Sequence, residues 1–289
     1  MAMRFVLSKK SPEWGLGIVL KEPSAGKLDT LFLEGGRRLL VESKAALEPV
    51  DDCDVPVDSP LRNPERWHDM EHRKRSTASF GEMVKQFLEL YPEGFQDPAY
   101  IKGERNYKAS AVERARKLLA RDRLSELLGS AQYEQCHRTA YDCAAMTNLI
   151  LTSEKLILKA IPPEAHEAFG RQLFDLLYGE KDYSHRVEAF ADRLAEHDAG
   201  KWTIATYFGF LLDPVARVFV KPTAVQRAAK ALHRDLKYEA EPSAAVYKRV
   251  AALCEDVKGQ LEAANLHPTD MVDVQGFLWI GTGMHREVR

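Results

Sequence analysis

The apolar positions of this chain change period near residue 76, and the change divides it. Upstream, short apolar runs alternate with turn residues and read as strands: Phe5-Val6-Leu7, Gly15 to Leu20, Thr30 to Leu33 and Arg38 to Val41. Four or five strands in about forty residues is the scale of a small SH3-like barrel. Downstream the apolar residues recur at steps of three and four. That spacing predicts helices near 79–90, 110–128, 131–145, 147–160, 163–178, 184–197, 201–212, 223–233, 243–264 and 270–280. In the long one, Val246, Val250, Leu253, Val257 and Leu261 fall on one face. Ser79-Phe80-Gly81-Glu82 and Ser110-Ala111-Val112-Glu113 match the capping box and are expected to open helices. The expected fold is therefore mainly α: a small β-barrel over 1–48, a linker over 49–75 and an all-α domain over 76–289.

Within the first segment, Pro12-Glu13-Trp14-Gly15-Leu16-Gly17-Ile18-Val19 is followed by Leu31-Phe32-Leu33-Glu34-Gly35-Gly36-Arg37-Arg38-Leu39-Leu40. This outline resembles the bacterial Tudor-like and SH3-like barrels, among them the RNA-polymerase-interacting modules of CarD type and related accessory domains of DNA-handling proteins. The resemblance covers the first fifth of the chain. It implies a module that docks a protein or nucleic acid and does not catalyse, with Trp14 and Arg37 as candidate partner-binding residues. The stretches Val218 to Thr223 and Asp270 to Trp279 resemble a recurring C-terminal pattern of bacterial proteins, to which no activity attaches.

Composition narrows the classes. Hydrophobic residues make up 45% and charged residues 29%, the balance of a chain that buries a core. Lys and Arg number 41 against 43 Asp and Glu, so no overall field draws the chain to a nucleic acid or membrane, and any such surface must be local. The N-terminal apolar run is too short for a signal peptide and no later run is long enough to span a bilayer, so a cytoplasmic location and no membrane contact are expected. The scattered Cys53, Cys136, Cys143 and Cys254 read as reduced thiols in or near the core. Between Glu42 and Asp58 six acids stand against Lys44, with Pro49, Pro56, Pro60 and Pro64, which reads as a solvated linker.

Four patterns carry candidate chemistry. His68-Asp69-Met70-Glu71-His72 fits a zinc-protease order, but Arg73-Lys74-Arg75 beside it opposes a divalent cation, so neither metal nor cofactor is expected. Basic runs are more informative: from Arg217 to Lys237 there are six cations and one acid, and from Lys102 to Arg138 nine cations and five acids. Arg227, Lys230 and Arg234 step by three and four, as cations aligned on a phosphate backbone would. Arg105, Lys108, Lys201 and Lys221 complete the candidate nucleic-acid-binding set. Lys221-Pro222-Thr223 reads as a loop ending in an N-cap threonine. The aromatic run Trp202 to Phe210 suits either base stacking or a core helix. Asp270 and Asp273, in an apolar helix, are either partners of a buried arginine or tuned catalytic carboxylates. The leading expectation is a protein that binds nucleic acid, DNA ahead of RNA, through a basic groove of the helical domain. The alternatives are a base-flipping glycosylase of repair or phage defence that uses Asp273, and a protein–protein scaffold.

Overall fold

The computed structural model describes residues 3–10, 14–24, 26–33, 36–56, 59–65, 67 and 79–286. The chain forms two compact units, Met1–Ser76 and Thr77–Arg289.

The first unit is a five-stranded antiparallel sheet of Phe5–Ser8 (β1), Gly17–Ser24 (β2), Lys27–Phe32 (β3), Gly36–Val41 (β4) and Leu47–Val50 (β5), in the order β4-β3-β2-β1-β5. Among the described residues β4 and β5 do not pair, so the sheet is open. Gly17 lies where a Cβ would come within 2.5 Å of the Phe32 ring, and its lack of a side chain lets that aromatic close the β2–β3 face. Phe5, Ile18, Leu31, Val55 and Leu61 form the core. The linker expected from residue 49 is thus partly structure. Pro49 pairs with Val6 in an edge strand, where the missing N–H is tolerated, while Val55 and Leu61 are buried. The acids that suggested a linker, Glu48, Asp51 and Asp52, are simply the exposed positions of this segment. Trp14 packs on Phe32 with ring centroids 5.2 Å apart, and the Arg38 guanidinium lies 4.4 Å from the Trp14 centroid. Arg37 donates twice to Asp29, at 2.9 and 2.7 Å, and these bonds hold the Asp29 carboxyl below its ordinary range against the effect of burial.

Among its described residues the second unit contains helices and loops and no strand. Its longer helices are Phe80–Leu90 (α1), Asn106–Leu118 (α2), Arg121–Gly129 (α3), Tyr133–Ala145 (α4), Thr152–Lys159 (α5) and His166–Tyr178 (α6). They continue with Tyr183–Ala195 (α7), Trp202–Leu212 (α8), Pro222–Ala231 (α9), Ala244–Ala263 (α10) and Met271–Gly281 (α11). Ser79 caps α1 by accepting from the Glu82 N–H, as its motif requires. Ser110 does not cap anything. A helical run begins at Pro98, where Asp97 accepts from the Ala99 N–H, passes through a π turn at Ile101–Arg105 and continues into α2, leaving Ser110 inside it. The single helix expected over 110–128 breaks at Leu119 and Ala120 into α2 and α3.

α8 and α11 are the buried axes of this unit. Every residue from Trp202 to Leu211 is buried, so the aromatic run is core and offers no ring to a base. α11 packs against α1, α9, α10 and the π turn. Cys136, Cys143 and Cys254 are buried free thiols, and burial pushes them up to about 11, 12 and 12; Cys53, by contrast, is exposed. No helix among the described residues is long and apolar enough to cross a membrane.

Candidate functional site

Two groups of charges meet α11, and they differ in how far the protein itself satisfies them. The first is a closed knot at its N-terminus. Asp270 is the N-cap, accepting from the Val272 N–H at 2.9 Å, and it receives both terminal nitrogens of Arg105 at 2.6 and 2.9 Å. Asp273 Oδ1 accepts from the Tyr100 hydroxyl at 2.8 Å and lies 3.0 Å from Arg105 Nη1, while Oδ2 accepts from the Thr269 N–H at 2.7 Å. Burial opposes the charge of Arg105, but the two carboxylates together outweigh it and raise its pKa above the ordinary value. Burial foremost, and then the charge of Asp273, push the Tyr100 phenol far up, so its hydroxyl is fixed as a donor. Gly276 permits the approach: a Cβ there would stand 2.8 Å from the Tyr100 oxygen. The π turn adds a residue to the helical repeat just where Arg105 must reach α11 while Lys108 turns inward.

The second group lines a cleft of about 240 Å³ beside the knot. One wall is α11, which contributes Gln275 and Trp279 at i and i+4; another is the first half of α2 with its preceding turn, which contributes Glu104, Tyr107 and Lys108. The loop from Asn148 to Leu151, the start of α5 with Lys155, and Lys221 complete it. Lys108, 1% exposed, is the cleft's floor and pairs with Glu104 at 2.8 Å. Lys155 and Lys221 have no such partner. Lys155 Nζ donates to the Thr147 carbonyl at 2.5 Å and Lys221 Nζ to the Leu149 carbonyl at 3.1 Å, and among the described residues neither forms an ion pair. Burial pushes all three lysines below their ordinary pKa, opposed at Lys108 by Glu104 and at Lys221 by the charge of Glu154. The Glu154 oxygens are themselves taken by the Leu151 N–H and the Thr203 hydroxyl.

Of the residues singled out from the sequence, Lys108 and Lys221 share this cleft and Arg105 stands behind it in the knot. The rest lie elsewhere. Lys201 is the exposed N-cap of α8. The expected stripe of Arg227, Lys230 and Arg234 does not exist as one helical face, because α9 ends at Ala231 and His233 takes a left-handed turn with φ of 53°. Arg227 bonds the Thr282 carbonyl at 3.1 Å and Arg234 pairs with Asp256 at 2.5 Å, leaving Lys230 exposed between them. Lys221, not Thr223, caps α9, since Pro222 fits the first helical position. Asp270 and Asp273 are held by protein donors at all four oxygens, the structural alternative for these acids. Trp14 and Arg37 sit against Phe32, Arg38 and Asp29 in the sheet unit. His68, Glu71 and His72 lie outside the described residues, and among the described ones no cluster of His, Cys, Asp or Glu could hold a metal.

Lys155, Tyr107, Asn148 and Trp279 had no sequence signal as site residues. Lys108 did: it falls three and four residues before Ala111 and Val112, on the buried face of α2, where a cation requires compensation.

Chemically the cleft joins two cations without carboxylate partners to an aromatic ring, a carboxamide and an apolar loop. Leu151 and Lys221, the N-caps of α5 and α9, both line it, so the positive ends of two helix dipoles meet the same space. Such a lining suits an anion that carries an organic group. No protein-family model, no curated protein and no solved structure matches the chain, so the reading of the cleft rests on its own geometry.

Proposed function

We propose that the helical unit binds nucleic acid, DNA in the first instance, and grips a backbone phosphate in this cleft through Lys155 and Lys221. The observation that carries the reading is that these two partly buried ammonium groups hydrogen-bond only to main-chain oxygens, while the carboxylate whose charge reaches Lys221, Glu154, is already engaged by Leu151 and Thr203. Buried charge is costly unless paired. An arriving phosphate supplies the missing charge and draws both lysines back toward full protonation, while the flanking helix N-termini favour the same anion. On a chain with a net charge of −2, such a local site is what directs a polyanion to one face.

The sheet unit fits the role of a docking module. Its order β4-β3-β2-β1-β5, with the last strand returning beside the first, is compatible with an SH3-like barrel of the Tudor kind. Arg37, Leu39 and Val41 share the exposed face of edge strand β4, the side on which a partner would meet the candidate Arg37.

The test is equilibrium binding to single-stranded DNA, duplex DNA and RNA over a range of salt. Wild-type protein should bind with affinity that falls as salt rises. Lys155→Gln/Lys221→Gln should weaken binding and flatten the slope of log affinity against log salt by about 0.7–0.9 for each phosphate that is no longer neutralised. Absence of binding to any of the three at low salt would remove the proposal.

A further inference from the structure

We infer that the cleft receives one unstacked nucleotide of a strand, its base against Trp279 and Gln275 and its phosphate on Lys155 and Lys221. The inference rests on the nucleic-acid reading and names what that site takes. Phosphate alone would need only the lysines and the helix ends. The rest of the cleft is built for something flat, apolar in its face and polar at its edge.

Three observations point to a base. The volume, about 240 Å³, falls below the roughly 300–1,000 Å³ of pockets for larger ligands and suits a single planar group; a duplex cannot enter it. Gln275 is 8% exposed, lines the cleft, and its Oε1 has no hydrogen-bond partner. A buried carboxamide with an unmet end is costly, and a half-turn about its last bond presents either the oxygen or the NH₂ group. Base edges carry the donor and acceptor pairs that a carboxamide matches two at a time. Trp279 stands one helical turn beyond Gln275 on the same face and remains partly exposed, with Leu149 and Ile150 also lining the cavity. Indole stacking tolerates any base, so Trp279 supplies affinity and Gln275 the discrimination.

The knot explains why this arrangement can hold its shape while empty. Asp273 and Gln275 are two residues apart on α11, and the Arg105, Tyr100 and Thr269 bonds to Asp273 fix the helix from which Gln275 and Trp279 project. The base wall is therefore set before a ligand arrives.

The experiment compares a single-stranded oligonucleotide with its fully abasic counterpart, and a duplex carrying one unpaired nucleotide with the fully paired duplex. Wild-type protein, Gln275→Met and Trp279→Ala are each tested, with circular dichroism to verify folding. The inference expects the normal strand to bind about ten-fold tighter than the abasic one, and the bulged duplex tighter than the paired one. Gln275→Met, close to the native side chain in shape, should reduce both differences and leave abasic-strand affinity unchanged even if Trp279→Ala does not fold. Equal affinity for normal and abasic strands, both still dependent on Lys155 and Lys221, overturns the base pocket and leaves nucleic-acid binding standing. Binding of a free mononucleoside monophosphate with the same Gln275 dependence, and of no strand, keeps the base pocket and overturns the strand. No binding of strand, mononucleotide or inorganic phosphate removes both.

Discussion

The knot and the cleft are neighbours on one helix and are made from the same chemical materials, yet they stand at opposite ends of compensation. In the knot, Arg105 faces two carboxylates, and both oxygens of each acid receive protein donors. In the cleft, Lys155 and Lys221 hydrogen-bond only to carbonyls, and the Gln275 oxygen has no hydrogen-bond partner. A charge that the fold answers completely has no capacity left for a ligand, so its work is to position other groups. A charge that the fold buries and leaves half answered stores an interaction for something that is not part of the chain. The contrast reverses the assignment that residue types suggest, in which paired aspartates are the chemistry and surface lysines the background.

The largest effect expected from this contrast is on stability. Arg105→Met strands Asp270 and Asp273 in a buried setting and should cost about 3–5 kcal/mol, the usual consequence of removing one member of a buried ion pair. Urea denaturation reads it. A destabilisation well below that range would mean that the knot is not what holds α11. Tyr100→Phe removes one donor while Arg105 stays on the same oxygen, so about 1 kcal/mol is expected, with nucleic-acid affinity little changed.

A pH effect comes next. His137 and His166 stack with centroids 4.1 Å apart and hydrogen-bond the Leu158 and Ile161 carbonyls at the C-terminal end of α5, opposite the end that lines the cleft, leaving His166 Nδ1 buried without a partner. Burial first, with His166 adding, lowers the pKa of His137 against the pull of the Leu158 carbonyl. The unfolded chain therefore takes up the proton more readily than the folded one. This contribution to stability is present above the unfolded value of about 6.5 and is lost as pH falls below it, until folded His137 itself protonates. Denaturation midpoints at about pH 7 and about pH 5 should differ more for wild type than for His137→Gln, which keeps a donor for Leu158 but does not titrate. Equal differences would show that His137 does not make the fold acid-sensitive. The smallest effect is predicted for Lys230→Gln/Arg234→Gln: oligonucleotide affinity should change by less than about two-fold, because Arg234 is already paired with Asp256 and Lys230 is exposed to solvent.

Much of the fold was legible in the sequence, and the reasons differ by region. The 3.6-residue period marks α4 through α11 to within a few residues because each has a buried stripe that the sequence displays. The break between α2 and α3 was not visible, since Leu118-Leu119 continues the apolar period straight across it. Nor was β5, whose alternation is short and masked by acids. The site was harder. Arg227, Lys230 and Arg234 have helical spacing, but spacing assigns a common face only if the helix persists, and α9 stops before Arg234. Lys155 comes to Lys221 through packing between segments far apart in sequence, which no local pattern records. Asp273 drew attention as an acid among apolar residues, rightly; its partners Arg105 and Tyr100 belong to the opposite end of the helical unit's sequence.

The most direct measurement is a comparison of two double variants against one single-stranded DNA at low and moderate salt. Lys155→Gln/Lys221→Gln is predicted to weaken affinity by at least about ten-fold and flatten the salt slope without lowering the denaturation midpoint, while Lys230→Gln/Arg234→Gln behaves as wild type. The opposite pattern, with affinity resting on Lys230 and Arg234 and indifferent to the cleft, would contradict the claim that half-answered buried cations mark the binding site.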